Sequence, residues 1–321
     1  MRSLFIVLAI SASAAAADDR GWGYLMNKLV ADGVARERVA AAFQDPRVEP
    51  FAELEFSATA PREPRSLYRR FLRPRSVSAA RRCRARYAQA FEAAERRFGV
   101  SANVLTAILF VESGCGRNTG SSLTFYRLAR LAMANDPDNL RRNLDRLAGQ
   151  EPDRDAALAV KVSARARYLE ETFYPEVLAL FTAADRMGVD PLDVRGSSSG
   201  AFGYPQFLPR SYVEYGVDGD GDGRVSLYEI DDAAASCARY FVAHGWHPGL
   251  SAAERRAAVW QYNRSTAYVD TVLTLASRVG STNAPPTKSA HPHASKSHRA
   301  AGKPRPEVRG NVGVPALRER G

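Results

Sequence analysis

The sequence has no long apolar run beyond its first residues, only three cysteines, and no internal repeat. After residue 17 no segment approaches the roughly 18 uncharged apolar residues that a membrane-spanning helix requires, so we expect no transmembrane segment there. The cysteines, Cys83, Cys115 and Cys237, are too scattered to give the ligand spacing of a zinc site. Aromatic and basic residues are not interleaved as they are on many nucleic-acid-binding surfaces, and we expect no nucleic-acid partner.

The first residues are typical of a secretory signal peptide. Arg2 supplies a positive charge, residues 4–10 are apolar, and residues 14–17 are small and suited to cleavage. No cysteine follows the small residues, so we expect no lipid anchor; an uncleaved N-terminal anchor is the alternative. The sequence therefore predicts a protein exported to the periplasm after removal of residues 1–17, and we expect a monomer. Three cysteines permit one disulfide and one thiol there, and the sequence does not choose the pair.

Positive charge is concentrated at the C-terminal end. The net charge is +10, and residues 281–321 carry eight Lys and Arg side chains against two Glu, which accounts for more than half of it. This segment is rich in Pro, Ser, His and Lys and poor in large apolar residues, so it is predicted to be disordered. For an exported protein this charge favours an anionic cell-wall polymer or membrane surface as the partner.

The rest of the chain is predicted to be mainly α-helical, α+β at most. Apolar residues recur at steps of three and four, and Gly, Ser and Pro interrupt the periodic segments. The linker is predicted at 57–66, and a loop rich in Gly, Ser and aromatic residues at 195–209. Helices are predicted at 20–48, 77–98, 102–113, 137–148, 154–187, 231–244, 251–263 and 268–279.

Glu112 is the first candidate for catalysis. It lies four residues after Ile108 and three after Leu109, which places a carboxyl group on the apolar side of a predicted helix. Desolvation and the negative end of the helix dipole both favour the neutral acid, so we expect a raised pKa, as a general acid requires. The alternative is a structural glutamate that pairs with an arginine.

The segment from Asp218 to Glu229 matches the pattern of a calcium-binding EF-hand loop. Asp218, Asp220 and Asp222 occupy positions one, three and five, a glycine occupies position six, and Glu229 occupies position twelve. Arg224 stands at position seven, where the backbone carbonyl is the usual ligand. The pattern predicts a structural Ca²⁺ site, and a solvated acidic turn is the alternative.

Two other segments could contact a polar ligand. Residues 196–209 contain glycines that permit tight turns, and Ser197 and Gln206 offer a hydroxyl and an amide. Residues 260–268 place aromatic side chains beside an asparagine, a combination suited to the apolar faces and hydroxyl edges of sugar rings. A turn cluster and ordinary core packing are the respective alternatives.

Six segments occur in a characteristic order between residues 20 and 280. They are Tyr-Arg-Arg-Phe-Leu at 68–72, Val-Glu-Ser at 111–113, Gly-Ala-Phe-Gly-Tyr-Pro-Gln-Phe at 200–207, the acidic loop from residue 218, His-Gly-Trp at 244–246 and Tyr-Asn-Arg-Ser at 262–265. Together they resemble the membrane-bound lytic murein transglycosylase B family. The resemblance implies a lysozyme-like core with an inserted calcium loop and a helical N-terminal part. It also implies peptidoglycan glycan strands as the partner.

The resemblance further implies cleavage of the MurNAc–GlcNAc bond with formation of a 1,6-anhydro ring. It assigns Glu112 as acid and base, and it moves the last calcium carboxylate to Asp232, so Glu229 and Asp232 both remain candidates. The glycan-contacting residues that it implies are Ser197, Gln206, Tyr262, Asn263 and Tyr268.

The sequence departs from the resemblance at a few places, and two other functions remain open. Leu169-Glu170 stands where an arginine pair is usual, Cys115 replaces an aromatic residue, and residues 134–160 look like an insertion. A hydrolytic muramidase and a non-catalytic, calcium-dependent wall-binding protein are the alternatives. The predicted division of the exported chain is an N-terminal helical region, 18–98, a catalytic core, 99–280, that contains the calcium loop, 218–232, and the basic tail.

Overall fold

The computed structural model describes residues 19–59, 66–148 and 155–281. The expected signal peptide, most of the expected linker and all but the first residue of the basic tail lie outside the described residues. The described helices and strands are α1 Gly23–Ala31, α2 Arg36–Gln44, α3 Ser66–Arg69, α4 Pro74–Arg86, α5 Ala88–Phe98, α6 Ala102–Ser113, β1 Ser122–Leu123, α7 Thr124–Ala132, α8 Pro137–Ala148, α9 Asp155–Met187, β2 Arg195–Gly196, α10 Pro209–Tyr215, α11 Ile230–Ala243, α12 Ala252–Tyr262 and α13 Thr266–Gly280.

The mainly α-helical class is confirmed. The two short strands form one antiparallel pair, with Ser122 opposite Gly196 and Leu123 opposite Arg195. Turns of 3₁₀ helix at Arg70–Leu72 and Met133–Asn135 follow α3 and α7. Within the described part of the chain, no helix combines the length and the apolarity needed to cross a membrane.

Two predicted helices are each divided in the structure. The helix predicted at 20–48 breaks into α1 and α2 around Gly33, whose φ of +94° lies in the left-handed region that favours glycine. The helix predicted at 77–98 breaks at Tyr87, which leaves the helical conformation with φ −112° and ψ 32°. Helix α7 lies outside the predicted set, although its buried Phe125 and Leu128 have helical spacing.

The helices pack around two apolar cores. The first core joins α4, α5 and α6 to α11, α12 and α13, with Leu105, Ile108 and Phe241 fully buried. The second core joins α1 and α2 to α7, α9 and the loop that follows α9, around Trp22. Tyr262 packs against both cores. The second core thus joins helices from both sides of the expected linker, and the division at residue 98 stays a prediction.

One disulfide links α4 to the turn that follows α6. Cys83 on α4 is bonded to Cys115, and the Cα atoms are 6.4 Å apart. Cys237 on α11 is the free thiol among the described residues, and it is buried. The bond ties α4 to the turn that ends the helix carrying Glu112.

Candidate active site

Glu112 lies in the last turn of a helix that is buried on every side. Eleven of the twelve residues of α6 are buried, so the helix has no solvent-facing stripe opposite its apolar side. Gly114 ends the helix with a left-handed φ of +63°. The amide of Gly114 donates to the carbonyl oxygen of Phe110, which is the bond of an αL cap, and the amide of Cys115 donates to that of Leu109. Only 8% of the surface of Glu112 is exposed, and the residue lines a cavity.

The cavity at Glu112 has a volume of about 450 Å³. Tyr268, in the first turn of α13, lines the same cavity, and its hydroxyl donates to Glu112 Oε1 at 2.6 Å. Burial and the neighbouring Glu112 charge raise the pKa of the Tyr268 phenol well above its usual value. The phenol therefore remains a proton-bearing donor to the carboxyl group at physiological pH.

Asn263, another residue of the cavity lining, has an unpaired acceptor. Its Nδ2 donates to the Tyr68 hydroxyl at 3.4 Å, while its buried Oδ1 has no hydrogen-bond partner among the described residues. Leaving a buried acceptor unpaired costs about 1–3 kcal/mol.

Tyr262 does not line the cavity but packs against Tyr268, which does. Its ring is parallel to those of Phe241 and Tyr268, with centroids 5.6 and 6.3 Å away. Its hydroxyl donates to the carbonyl oxygen of Pro205, which ties the end of α12 to the glycine-rich segment. Burial raises the pKa of the Tyr262 phenol well above its usual value, so this donor is also retained.

Ser197 and Gln206 hold the glycine-rich segment in shape. Ser197 Oγ accepts the amides of Ser199 and Ala201, at 3.3 and 3.2 Å. Gln206 has a left-handed φ of +52°, and its Nε2 donates to the carbonyl oxygens of Thr119 and Gly203. Neither side chain lines the cavity. The structure thus brings Asn263 and Tyr268 to Glu112, and glycan contacts by Ser197, Gln206 and Tyr262 stay predictions.

Several cavity residues were not predicted from the sequence. Some lie within the quoted motif Tyr-Arg-Arg-Phe-Leu and others within four residues of Val-Glu-Ser, and that proximity is the signal that could have identified them. The unpredicted lining residues with rings or charges are Tyr68, Arg70, Phe71, Phe110 and Arg117.

The acidic loop brings three carboxylates together. Ligand oxygens of Asp218, Asp220 and Asp222 lie within 4.8 Å of one another. The amides of Gly223 and Gly221 donate to Asp218, and these bonds lower the pKa of its carboxyl group. Such a cluster of oxygen ligands suits a hard cation such as Ca²⁺.

The two candidates for the last calcium ligand have different environments. Glu229 is exposed and precedes α11 as its N-cap residue. Asp232 is buried in the first turn of α11, and its two oxygens accept the amides of Gly219 and Ser226, at 2.7 and 2.5 Å. Burial raises the pKa of both carboxyl groups, and neighbouring aspartates raise it further. Glu229 and Asp232 therefore both remain candidates.

Comparison with known proteins assigns the family. Residues 18–258, about three-quarters of the chain, match the family described as the transglycosylase SLT domain.

The chain belongs to the transglycosylase SLT domain family.

Within this family, the chain is similar to membrane-bound lytic murein transglycosylase B of Escherichia coli, with 34% identity over 163 residues. This confirms the resemblance that the motifs carried. The match covers 51% of the chain and 37% of that relative, so the chain spans well under two thirds of the relative's length.

Two solved structures share the fold. The Escherichia coli lytic transglycosylase Slt35 in complex with calcium has a TM-score of 0.59 at 21% identity, and the match covers 82% of this chain and 93% of that chain. SltB3 from Pseudomonas aeruginosa in complex with NAG-anhNAM-pentapeptide has a TM-score of 0.58 at 21% identity, with 81% and 78% covered. These likenesses confirm the lysozyme-like helical fold.

Proposed function

We propose that the protein is a lytic transglycosylase that cleaves the MurNAc–GlcNAc β-1,4 bond of peptidoglycan and leaves 1,6-anhydro-MurNAc ends. The observation that carries the proposal is the composition of the cavity. Glu112 is the only carboxyl group among its described lining residues, and Tyr268 holds it in place. Glycosidases of the usual kind need two carboxyl groups, either as acid and nucleophile or as acid and base. A single carboxyl group fits a reaction in which the substrate supplies the second group.

In the proposed reaction, protonated Glu112 donates its proton to the bridging oxygen as the bond to C1 of MurNAc breaks. The hydrogen bond from Tyr268 to Oε1 stabilises the carboxylate that forms. The acetamido group of the substrate stabilises the cationic C1. Asn263 lines the same cavity and is suited to contact the bound substrate. The Glu112 carboxylate then removes the proton from the C6 hydroxyl, which closes onto C1.

Substitution of Glu112 tests this mechanism. Glu112→Gln should keep the fold and glycan binding but lower turnover by several orders of magnitude, because the acid and base roles are each worth about 10²–10⁴. Mass spectrometry of fragments released by the unsubstituted protein should show anhydro ends, one water lighter than hydrolytic products. Reducing ends alone would establish the muramidase. Near-normal turnover by Glu112→Gln would remove the mechanism, and failure to clear purified wall in a turbidity assay would favour a wall-binding protein.

The proposal includes one structural Ca²⁺ ion in the acidic loop. The three clustered aspartates, the Arg224 carbonyl oxygen and either Glu229 or Asp232 would hold it, which supplies the oxygen-rich coordination that calcium prefers. The solved complex of Slt35 with calcium supports this assignment. The loop lies next to the glycine-rich segment, since the amide of Tyr204 donates to the carbonyl oxygen of Leu227 at 2.8 Å. A bound ion would therefore steady that segment without taking part in the reaction.

The proposed setting is the periplasm, where the protein would act as a monomer on glycan strands. The signal-like first residues and the likeness to a membrane-bound murein transglycosylase support this location. Fractionation of cells that express the full chain, with N-terminal sequencing of the exported form, tests both the location and the cleavage after residue 17.

A further inference from the structure

Two arginines line the cavity that contains Glu112. Arg70 lies in the 3₁₀ turn after α3, and Arg117 lies in the turn after α6. Across the described residues, no salt bridge joins either guanidinium to an acidic side chain. Two positive charges therefore border a cavity whose one acidic lining residue has its own catalytic role.

The arginines flank a pair of aromatic rings, and together the four side chains form a cationic wall, Arg70, Phe71, Phe110 and Arg117. The Arg70 guanidinium lies 4.8 Å from the Phe71 ring centre, and that of Arg117 lies 5.7 Å from the Phe110 ring centre. The two rings meet edge to face at 6.2 Å. A guanidinium beside a ring keeps the N–H donors along its edge available to a ligand.

The backbone at the end of α6 holds the Arg117 side chain in position. Its Nε donates to the carbonyl oxygen of Gly114 at 3.0 Å. A Cβ atom on Gly114 would lie only 3.1 Å from Nη2 of Arg117, so the glycine gives the guanidinium room to approach the backbone. One N–H is thus used to hold the side chain beside the cavity, and the Nη groups remain for a ligand.

The chemistry of this wall suits a carboxylate attached to a ring with an apolar face. Guanidinium groups bind carboxylates through paired, charge-assisted hydrogen bonds. The sugar rings of the proposed substrate are neutral, and its carboxylates are carried by the lactyl substituent of the muramic residue. They are the lactyl carboxylate itself, where the peptide has been removed, or the carboxylates of the stem peptide.

We propose that Arg70 and Arg117 select the muramic residue by binding a carboxylate on its lactyl substituent. This inference rests on the proposed function and names two specificity-determining residues for it. Because the wall adjoins Glu112, a strand bound in this way presents the muramic glycosidic bond to the acid. A glycan without such carboxylates lacks this contact.

Four substrates test the inference with the full-length protein. They are peptide-bearing strands and peptide-free strands, each with its carboxyl groups either free or amidated with methylamine after acetylation of the free amines. For the unsubstituted protein, amidation should raise KM about tenfold in at least one pair, a factor that corresponds to about 1.4 kcal/mol. The pair that responds identifies the source, the stem peptide or the lactyl group.

The variants Arg70→Gln and Arg117→Gln should reduce the amidation effect on KM, and the double variant should abolish it. Arg96→Gln is the matched control, because Arg96 is exposed on α5, lies outside the cavity and carries the same charge. This control should keep the full effect. Thermal unfolding of each variant checks that the fold is retained. A merely structural role for either arginine would change KM equally for free and amidated strands.

Three outcomes would overturn the inference: no amidation effect in the unsubstituted protein, an undiminished effect in the double variant, or an equal loss in Arg96→Gln. The product analysis separates this failure from failure of the proposed function. Anhydro ends formed with no amidation effect would reject the carboxylate contact alone. Absence of anhydro ends from every substrate would reject both.

Discussion

The hydrogen bond from Tyr268 to Glu112 should be worth one to two orders of magnitude in turnover. The bond is 2.6 Å long, both partners are buried, and it strengthens as Glu112 becomes a carboxylate. Hydrogen bonds to charged groups contribute about 1.5–3 kcal/mol, which corresponds to roughly 10- to 100-fold in rate. Tyr268→Phe should therefore lower kcat by that factor.

The phenylalanine variant is a clean perturbation because the ring contacts of Tyr268 do not need the hydroxyl. The ring is parallel to that of Tyr262 and meets the Tyr68 ring edge to face at 5.6 Å. We therefore expect the melting temperature to change by only a few degrees.

Tyr126→Phe is the matched control. It removes another tyrosine-to-glutamate hydrogen bond, from the Tyr126 hydroxyl to Glu49, at 3.0 Å and away from the cavity. Turnover is measured as release of soluble fragments from purified wall at saturating substrate. If Tyr268→Phe stays within about threefold of the unsubstituted rate, or if Tyr126→Phe loses as much, the role assigned to Tyr268 is refuted.

Three further predictions concern stability. Calcium at 10 mM should stabilise the protein by about 1.4–2.7 kcal/mol, because such loops outside the cytoplasm typically have dissociation constants of roughly 10⁻⁴–10⁻³ M. Magnesium should stabilise it less. The site would be contradicted if the melting temperature of Asp218→Ala still rose with calcium. The disulfide closes a loop with a sequence separation of 32. Replacing Cys83 and Cys115 by alanine should therefore lower the free energy of unfolding by about 3.7 kcal/mol through the added chain entropy of the unfolded state, as measured by urea unfolding. An unchanged urea midpoint would argue against the disulfide. Burial raises the pKa of Glu176 from 4.5 to about 7, so the stability contributed by its neutral form is complete below the unfolded-state pKa and is lost as the pH rises through 7. At pH 8, Glu176→Gln should therefore be more stable than the unsubstituted protein by up to about 3 kcal/mol. If both proteins lost the same stability between pH 5 and pH 8, the raised pKa of Glu176 would be contradicted.

Features with a local cause were predictable from the sequence. Helix α6 has the predicted limits because apolar residues fill it and Gly114 adopts the left-handed conformation that ends it. The clustering of Asp218, Asp220 and Asp222 follows from their spacing within one loop. Both features depend on residues within a few positions of one another, so the sequence order specifies them without knowledge of the rest of the fold.

The periodicity of apolar residues did not predict where two of the helices break. The breaks at Gly33 and Tyr87 interrupt segments whose periodicity continues through them. Helical periodicity reports which side of a segment is buried, but it does not report whether the segment is continuous. Two short helices with a common buried side therefore gave the pattern of one long helix.

The tertiary structure alone decided which chemical groups meet. The Tyr268 hydroxyl reaches Glu112 across 156 residues, and Asn263 reaches Tyr68 across 195. The choice of Cys83 as the partner of Cys115 has the same origin, since α4 packs beside α6. The contacts of Ser197 are local instead, because its hydroxyl accepts hydrogen bonds from two amides of its own turn. The sequence determines which chemical groups are present, but the partner of each group depends on which helices share a core.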